Sequence, residues 1–163
     1  MNADPTGSND LVHRLQEQER RLVFDRFDQD DAWLLGSALA ERAREEGHKL
    51  LIDIRRANLV LFRAALPGTT ADQESWAARK AAVVLRMETS SALFAVRMAG
   101  AGLDPVAVGW LDSGYAVTGG SFPVRVAGVG VVAAVTASGL TSDEDHDFVV
   151  HGLETFLSAR PRS

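Results

Sequence analysis

The residues with the clearest chemical potential lie near the C-terminus, in the stretch SGLTSDEDHDFVV at positions 138–150. Positions 143–147 hold four carboxylates and one histidine. Carboxylates and an imidazole at this spacing are typical of a metal site or of proton transfer. Acidic residues are equally typical of the first turn of a helix, where the helix dipole is positive. The direction in which each side chain points decides between these interpretations.

A helical wheel separates the members of this acidic stretch. The apolar residues that follow it form one buried stripe of a predicted helix: Val149, Val150, Leu153, Phe156 and Leu157. At about 100° per residue, His146 falls near the centre of that stripe, with Asp145 and Asp143 on its flanks. The wheel therefore predicts that His146 points towards the interior.

Capping explains much of the acidic character but leaves the histidine unexplained. Two capping boxes fit the start of the helix, Thr141 with Glu144 or Ser142 with Asp145. We favour His146 as a semi-buried histidine bonded to a backbone carbonyl over a histidine that contacts a ligand, because histidine is often intermediate in burial. A metal site is less favoured, since the carboxylates fan around the helix instead of converging.

A second candidate site lies in the stretch LPGTTADQESW at positions 66–76 and the residues after it. Its members are Gly68, Thr69, Thr70, Trp76, Arg79 and Lys80. The loop precedes a predicted helix, whose first backbone N–H groups can bind an anion. With an aromatic wall and two cations nearby, the site would hold a carboxylate or a propionate. The alternative is a capped helix with a core tryptophan and solvated cations.

Three further features are best explained by structure. Gly119 and Gly120 permit a positive φ or a close backbone approach. Phe122 and the proline after it are typical of packing and of a strand start. Asp53, between two isoleucines in a predicted strand, should be buried and paired with Arg55 or Arg56.

The elements that must position these residues follow from periodicity and turn signals. The predicted elements are a helix over 11–21, a strand over 21–27, a helix from the acids at 28–31 to Gly47, a hairpin over 49–65, a helix over 74–98, strands over 121–126 and 129–138, and a helix over 143–159. This order predicts an α+β, three-layer α/β/α domain around a mainly antiparallel sheet of about five strands. Residues 1–10 are predicted to form a flexible tail, and residues 11–163 a single domain.

Composition narrows the class of protein. The chain has 163 residues, of which 46% are hydrophobic, and this is enough for a core. A net charge of −5 argues against nucleic-acid binding, and the absence of cysteine rules out disulfides and thiolate metal sites. No apolar run is long enough for a signal peptide or a membrane span, so we expect a soluble, cytoplasmic protein.

Three motifs in order carry a family resemblance. They are L-P-G-T-T followed by W-x-x-x-K at 66–80, G-G-x-F-P at 119–123, and S-G-L-x-x-x-x-D-H at 138–146. From about residue 22 to residue 157, the combination resembles the haem-degrading-domain superfamily of GlcG and HbpS-like proteins. The resemblance implies a profilin-like fold and a homo-oligomer, dimer or higher. It implies haem as a candidate cofactor but no settled activity. Relatives usually have histidine before G-G-x-F-P, where this chain has Thr118.

These observations favour a protein that binds haem or another anionic small ligand. The candidate ligand-binding residues are Gly68, Thr69, Thr70, Trp76, Arg79, Lys80, Gly119, Gly120, Phe122, Asp145 and His146. His146 would serve as an axial ligand or proton donor. The alternative is a non-catalytic homo-oligomeric interaction scaffold. A hydrolase or lyase acting on a small carboxylate ranks last, because it requires Lys80, Asp145 and His146 to converge.

Overall fold

The structure, a computed structural model, describes residues 5–160, apart from the side chains of residues 5, 6 and 8. Its elements in chain order are α1 (Pro5–Arg21), β1 (Val23–Phe24), α2 (Gln29–Glu45), β2 (Leu51–Arg56), β3 (Leu59–Ala65), α3 (Ala71–Met87), α4 (Ser91–Gly100), β4 (Ser121–Val126), β5 (Gly130–Ser138) and α5 (Ser142–Ser158). The predicted mixed α/β fold with a five-stranded, mostly antiparallel sheet is confirmed.

The sheet has the strand order β1-β4-β5-β2-β3. The short edge strand β1 pairs in parallel with β4, and the other three pairings are antiparallel. The hairpin predicted over 49–65 is formed by β2 and β3, and Ile52 lies between Ala64 on β3 and Ala137 on β5. β3 is therefore an edge strand, and β5 runs through the middle of the sheet.

Helices cover both faces of the sheet, because its strands are apolar on both sides. On one face, Leu35 and Leu39 of α2 and Leu153 of α5 pack against the isoleucines of β2 in the main core. On the other face, α3 packs on β5 and β4. Burying each such leucine contributes about 1.5–3 kcal/mol of transfer free energy. This arrangement brings the first turns of α3 and α5 to the same end of the sheet.

The single helix predicted over 74–98 is wrong, because the structure has two helices there. Glu88 adopts a left-handed conformation with φ 53° and ends α3, and the Ser90 side chain caps α4. The Glu19 carboxylate on α1 accepts hydrogen bonds from the Thr89 hydroxyl and the Ser90 N–H, at 2.8 and 2.7 Å. Hydroxyl side chains compete with helical hydrogen bonding in this way. The break was not predicted because the apolar periodicity continues across it.

The N-terminal helix is longer than the sequence predicted. It begins at Pro5, whose fixed φ and missing N–H suit the first turn of a helix. Residues 5–10 are therefore helical, and the remainder of the predicted tail, residues 1–4, lies outside the described residues. Helix α1 packs mainly on α4. Among the helices of residues 5–160, none combines the length and apolar character that crossing a bilayer requires.

Candidate functional site

A buried ion pair joins α3 to α5. The Lys80 ammonium lies 2.7 Å from Oδ2 of Asp145, and the two side chains are only 5% and 1% exposed. A second, longer contact of 3.4 Å joins the ammonium to the Ala137 carbonyl at the end of β5. Buried lysines are rare unless they are paired, so this ammonium is placed by a specific partner.

The Asp145 carboxylate also organises the loop before α5. It accepts hydrogen bonds from the Leu140 N–H at 2.9 Å and from the Gly139 N–H at 3.4 Å. Burial raises the pKa of Asp145 above its ordinary value, although Lys80 and the two N–H groups oppose that rise. The carboxyl group therefore binds a proton more readily than an ordinary aspartate.

Of the two capping boxes that the sequence allows, the structure uses Thr141 with Glu144. The alternative box, with Ser142 and Asp145, is not formed, because the Asp145 side chain points inward to Lys80. The side chains of the remaining acidic residues, Asp143, Glu144 and Asp147, are exposed. They complement the helix dipole, as the sequence predicted.

The glycine pair before β4 makes room for this ion pair. Gly120 has a φ of +124°, and a Cβ atom there would lie 2.7 Å from both the Lys80 ammonium and the Ala137 carbonyl oxygen. A Cβ atom on Gly119 would lie 2.7 Å from the Ser142 carbonyl oxygen. Both positions therefore need glycine for close approach.

Lys80 and Asp145 line a cavity of about 280 Å³ between the first turns of α3 and α5. Trp76, which is 39% exposed, forms one wall, so it is not the core tryptophan of the alternative interpretation. Thr118 and Ser142 supply hydroxyl groups, and the Thr118 hydroxyl donates to the Ser142 oxygen at 2.8 Å. The residues that line the cavity thus include one cation, the two carboxyl groups of Asp72 and Asp145, three hydroxyls with that of Ser138, and one aromatic face.

The rest of the predicted anion loop lies outside the lining of this cavity. Thr70 caps α3 together with Gln73, and the Thr69 hydroxyl donates to the Leu66 carbonyl at 2.8 Å. Gly68 lies against the aliphatic chain of Lys49. The Arg79 guanidinium stacks on the Trp76 ring at 4.8 Å and donates to the Ser113 carbonyl at 2.9 Å. The hydrogen bond from Arg79 therefore holds the loop that contains Ser113, outside the cavity.

His146 is buried, as the wheel predicted, but it faces a different helix from Lys80. Its Nε2 lies 2.8 Å from the Gln18 side-chain oxygen of α1, so the expected backbone carbonyl partner was wrong. Its Nδ1 is buried without a hydrogen-bond partner among the described residues. Burial lowers the pKa of His146. It lines a smaller cavity of about 80 Å³, and its ring lies 6.0 Å from that of the core residue Phe122.

The structure therefore brings together part of the predicted site. Trp76, Lys80 and Asp145 meet at the larger cavity, while His146 turns away from it. The convergence that a hydrolase or lyase would need is absent from the described residues. The sequence interpretation missed the roles of Ser142 and Gln18, because neither belongs to a motif that predicts its contact.

The larger cavity differs in size and lining from what haem requires. Its volume of about 280 Å³ is below the range typical of pockets for drug-sized ligands, and a porphyrin is a large ligand. None of the described residues that line it is a histidine, methionine, tyrosine or cysteine, the usual axial ligands. These residues do not fit an axially ligated haem.

Comparison with known proteins establishes the family. The sequence model described as "Haem degrading protein HbpS-like" matches residues 27–154. The chain belongs to this HbpS-like family. It is 52% identical over 158 residues to a UPF0303 protein of Streptomyces coelicolor, a match that covers 96% of this chain and 99% of that one. A UPF0303 protein of Rhizobium etli is 42% identical and covers 94% and 93% of the two chains.

Solved structures share the fold of this HbpS-like protein. The Ybr137w protein has a TM-score of 0.82 at 28% identity, over 90% of this chain and 87% of that one. HbpS has a TM-score of 0.66 at 20% identity, with 80% and 89% covered. PduOC, whose structure is a complex with haem, has a TM-score of 0.65 at 16% identity, with 78% and 93% covered. The last two likenesses show the fold alone.

Proposed function

We propose that this HbpS-like protein binds a small ligand carrying a carboxylate in the cavity between α3 and α5. The observation that carries the proposal is the buried Lys80 ammonium at that cavity. A cation held in a partly desolvated site attracts an anion more strongly than one in water does, because the local dielectric constant is lower. The structure of PduOC, a protein of the same fold, is a complex with haem, so this fold can hold a ligand that carries carboxylates.

The other cavity residues support an anion in the same place. Ser142 opens α5, and Asp72 and Gln73 belong to the first turn of α3. The positive ends of both helix dipoles therefore face the cavity. The Ser142 hydroxyl accepts from Thr118 and from the Gly119 N–H, so its own proton is free to be donated to a carboxylate oxygen. The flat ring of Trp76 provides an apolar wall for the rest of the ligand.

Whether the Lys80 ammonium is free to bind a ligand anion depends on the protonation of Asp145. With Asp145 ionised, the pair with Lys80 is neutral; with Asp145 protonated, the ammonium needs another counter-ion. The raised pKa of Asp145 brings this protonation closer to neutral pH. A ligand carboxylate would then replace the charge of Asp145, so binding takes up a proton. Affinity should rise as the pH falls.

The test is calorimetry and thermal unfolding with a panel of small mono- and dicarboxylates, together with haem. We expect at least one carboxylate to bind and raise the midpoint of unfolding, and Lys80→Met to abolish that binding. Lys49→Met is the matched control, because Lys49 is the exposed second lysine of the chain. Failure of every carboxylate would contradict the proposal, as would haem binding at stoichiometric concentration that Lys80→Met leaves unchanged.

A second candidate function, an oligomeric scaffold, is favoured by one surface. Trp33 and Leu34 of α2 are 64% and 58% exposed, and Leu59 and Val60 lie exposed on the edge strand β3. The Trp33 ring meets Phe62 of β3 at 5.7 Å, so the two apolar groups are connected. Exposed apolar patches of this kind mark protein contacts.

Light scattering after gel filtration tests the scaffold function. We expect an oligomer at micromolar concentration and a smaller species for Trp33→Glu. Val129→Glu is the control, because Val129 is 72% exposed in the β4–β5 turn and belongs to neither α2 nor β3. A wild-type monomer, or dissociation by the control alone, would contradict this role.

A further inference from the structure

The choice of cation in the cavity is unusual for this chain. Only two of its 17 basic residues are lysines, Lys49 and Lys80. Among the described residues, the other buried aspartates that form ion pairs do so with arginine: Asp53 with Arg55 and Arg63, and Asp31 with Arg160. Of these described pairs, the one that borders the larger cavity is the one that uses lysine.

Lysine and arginine differ in what they can do beside a carboxylate. Arginine binds a carboxylate through two parallel hydrogen bonds and keeps its charge, so it is the better structural partner. A lysine ammonium can give up a proton and become a nucleophilic amine. At position 80 the amine nitrogen is also given space by Gly120, since a Cβ atom there would lie 2.7 Å away.

We propose that Lys80 forms an imine with the carbonyl group of a 2-oxo acid. This inference rests on the proposed carboxylate site and names the substrate class: a small acid with a ketone or aldehyde carbon next to the carboxylate. The Ser142 hydroxyl, oriented by its hydrogen bond from Thr118, and the first turn of α5 would hold the carboxylate. The carbonyl carbon would then face the Lys80 nitrogen, within reach of Asp145.

The reaction balances with groups already in the cavity. In complexes in which Asp145 is ionised, the Lys80 ammonium first passes a proton to the Asp145 carboxylate across their 2.7 Å hydrogen bond. The free amine attacks the carbonyl carbon, a C–N bond forms, and the carbonyl oxygen receives a proton from Asp145. The nitrogen then loses its second proton to Asp145, its electron pair forms the C=N bond, and the hydroxyl leaves as water with a proton from Asp145. Overall, one 2-oxo acid and one lysine ammonium give one protonated imine and one water, and Asp145 ends ionised as it began.

Asp145 is suited to both directions of this proton transfer. It lies against the nitrogen, it is 1% exposed, and two backbone N–H groups hold its carboxylate in place. General acid–base groups work best when the pKa lies close to the working pH, and burial shifts Asp145 in that direction. Lys49 is exposed and has no described carboxylate partner, so its reactivity serves as the control for an ordinary lysine in the same protein.

The experiment is borohydride trapping on the wild-type protein. The protein is incubated with pyruvate or glyoxylate, reduced, digested and analysed by peptide mass spectrometry. Lactate and glycolate, which lack the carbonyl group, are the matched ligands, and their binding is followed by thermal unfolding. We expect a reduced adduct on Lys80, none above background on Lys49, and protection of Lys80 by lactate in competition.

Each outcome separates this inference from the proposed function. Binding of lactate and pyruvate without an adduct on Lys80 would overturn the imine and leave the carboxylate site standing. Equal adducts on both lysines would also overturn it, since that is ordinary lysine chemistry. If no acid binds, the proposed function fails, and the imine fails with it. Asp145→Asn, checked for folding by its unfolding midpoint, should slow adduct formation about 100-fold, whereas an unchanged rate would remove Asp145 from the step.

Discussion

Lys80 of α3 and Asp145 of α5 are 65 residues apart in the sequence and 2.7 Å apart in the structure. Each side chain is buried, and the pair spans the end of the sheet where α3 and α5 begin. The pair therefore joins two layers of the fold and borders the candidate ligand cavity at the same time.

Removing one member of this pair should destabilise the protein strongly. We expect Lys80→Met to lower the free energy of unfolding by about 3–5 kcal/mol, because it leaves the Asp145 carboxylate buried without a counter-ion. The double variant Lys80→Met with Asp145→Asn should lose less than the sum of the two single losses. Urea unfolding measures all three. Strict additivity would show that the two side chains do not interact.

Gly120 should tolerate alanine much less well than Gly130. Both glycines have positive φ, at +124° and +113°, but a Cβ atom on Gly130 meets nothing within 4 Å. Gly130→Ala should therefore cost only backbone strain, about 1–3 kcal/mol. Gly120→Ala should lower the free energy of unfolding by about 1–3 kcal/mol more than Gly130→Ala does, because the new methyl group collides with the Ala137 carbonyl and the Lys80 ammonium. Equal losses in thermal or urea unfolding would contradict the close approach.

His146 should make stability depend on pH near neutrality. Burial lowers its pKa below the ordinary value of 6.5, although the nearby carboxylates of Asp147, Asp143 and Glu19 raise it. Below pH 6.5 the unfolded chain binds a proton at this histidine that the folded chain does not. The free energy of unfolding therefore decreases as the pH is lowered from 6.5 to the pKa of the folded histidine. The slope in that range approaches about 1.4 kcal/mol per pH unit.

Urea unfolding between about pH 7.5 and about pH 5.5 measures this slope. We expect His146→Gln to flatten it. His151→Gln is the control, since His151 lies exposed on the same helix. A slope that survives His146→Gln, or that disappears in the control, would assign the pH dependence to another group.

Asp53 should be essential for stability, although it lies away from the cavity. Its carboxylate is fully buried and accepts hydrogen bonds from Arg55 at 2.6 Å and from Arg63 at 3.0 Å. Asp53→Asn should lower the free energy of unfolding by about 3–5 kcal/mol. Glu74→Gln removes the more exposed carboxylate beside Arg63 and should cost less than about 1 kcal/mol. The two losses are compared by chemical denaturation, and similar values would contradict the role of burial.

Local signals in the sequence predicted much of the fold. The hairpin, the acidic first turn of α2, the Thr141–Glu144 cap of α5 and the inward direction of His146 depend on neighbouring residues, which periodicity and side-chain chemistry describe. The prediction failed at Thr89 and Ser90, where Glu19 of a distant helix stabilises a break. For Asp53, the predicted pairing with Arg55 is confirmed, but the second partner, Arg63, was missed because it reaches Asp53 across the β2–β3 pairing.

By itself, the sequence determined the family, the alternation of elements and the list of residues able to do chemistry. Only the tertiary structure decided which of them meet. Lys80 and Asp145 converge because α3 and α5 begin at the same end of one sheet, on either side of it. His146, the next residue after Asp145, points to Gln18 of α1, since successive helical residues differ by about 100° in direction. A motif records residue types along one chain, whereas a site depends on contacts between layers that the motif does not contain.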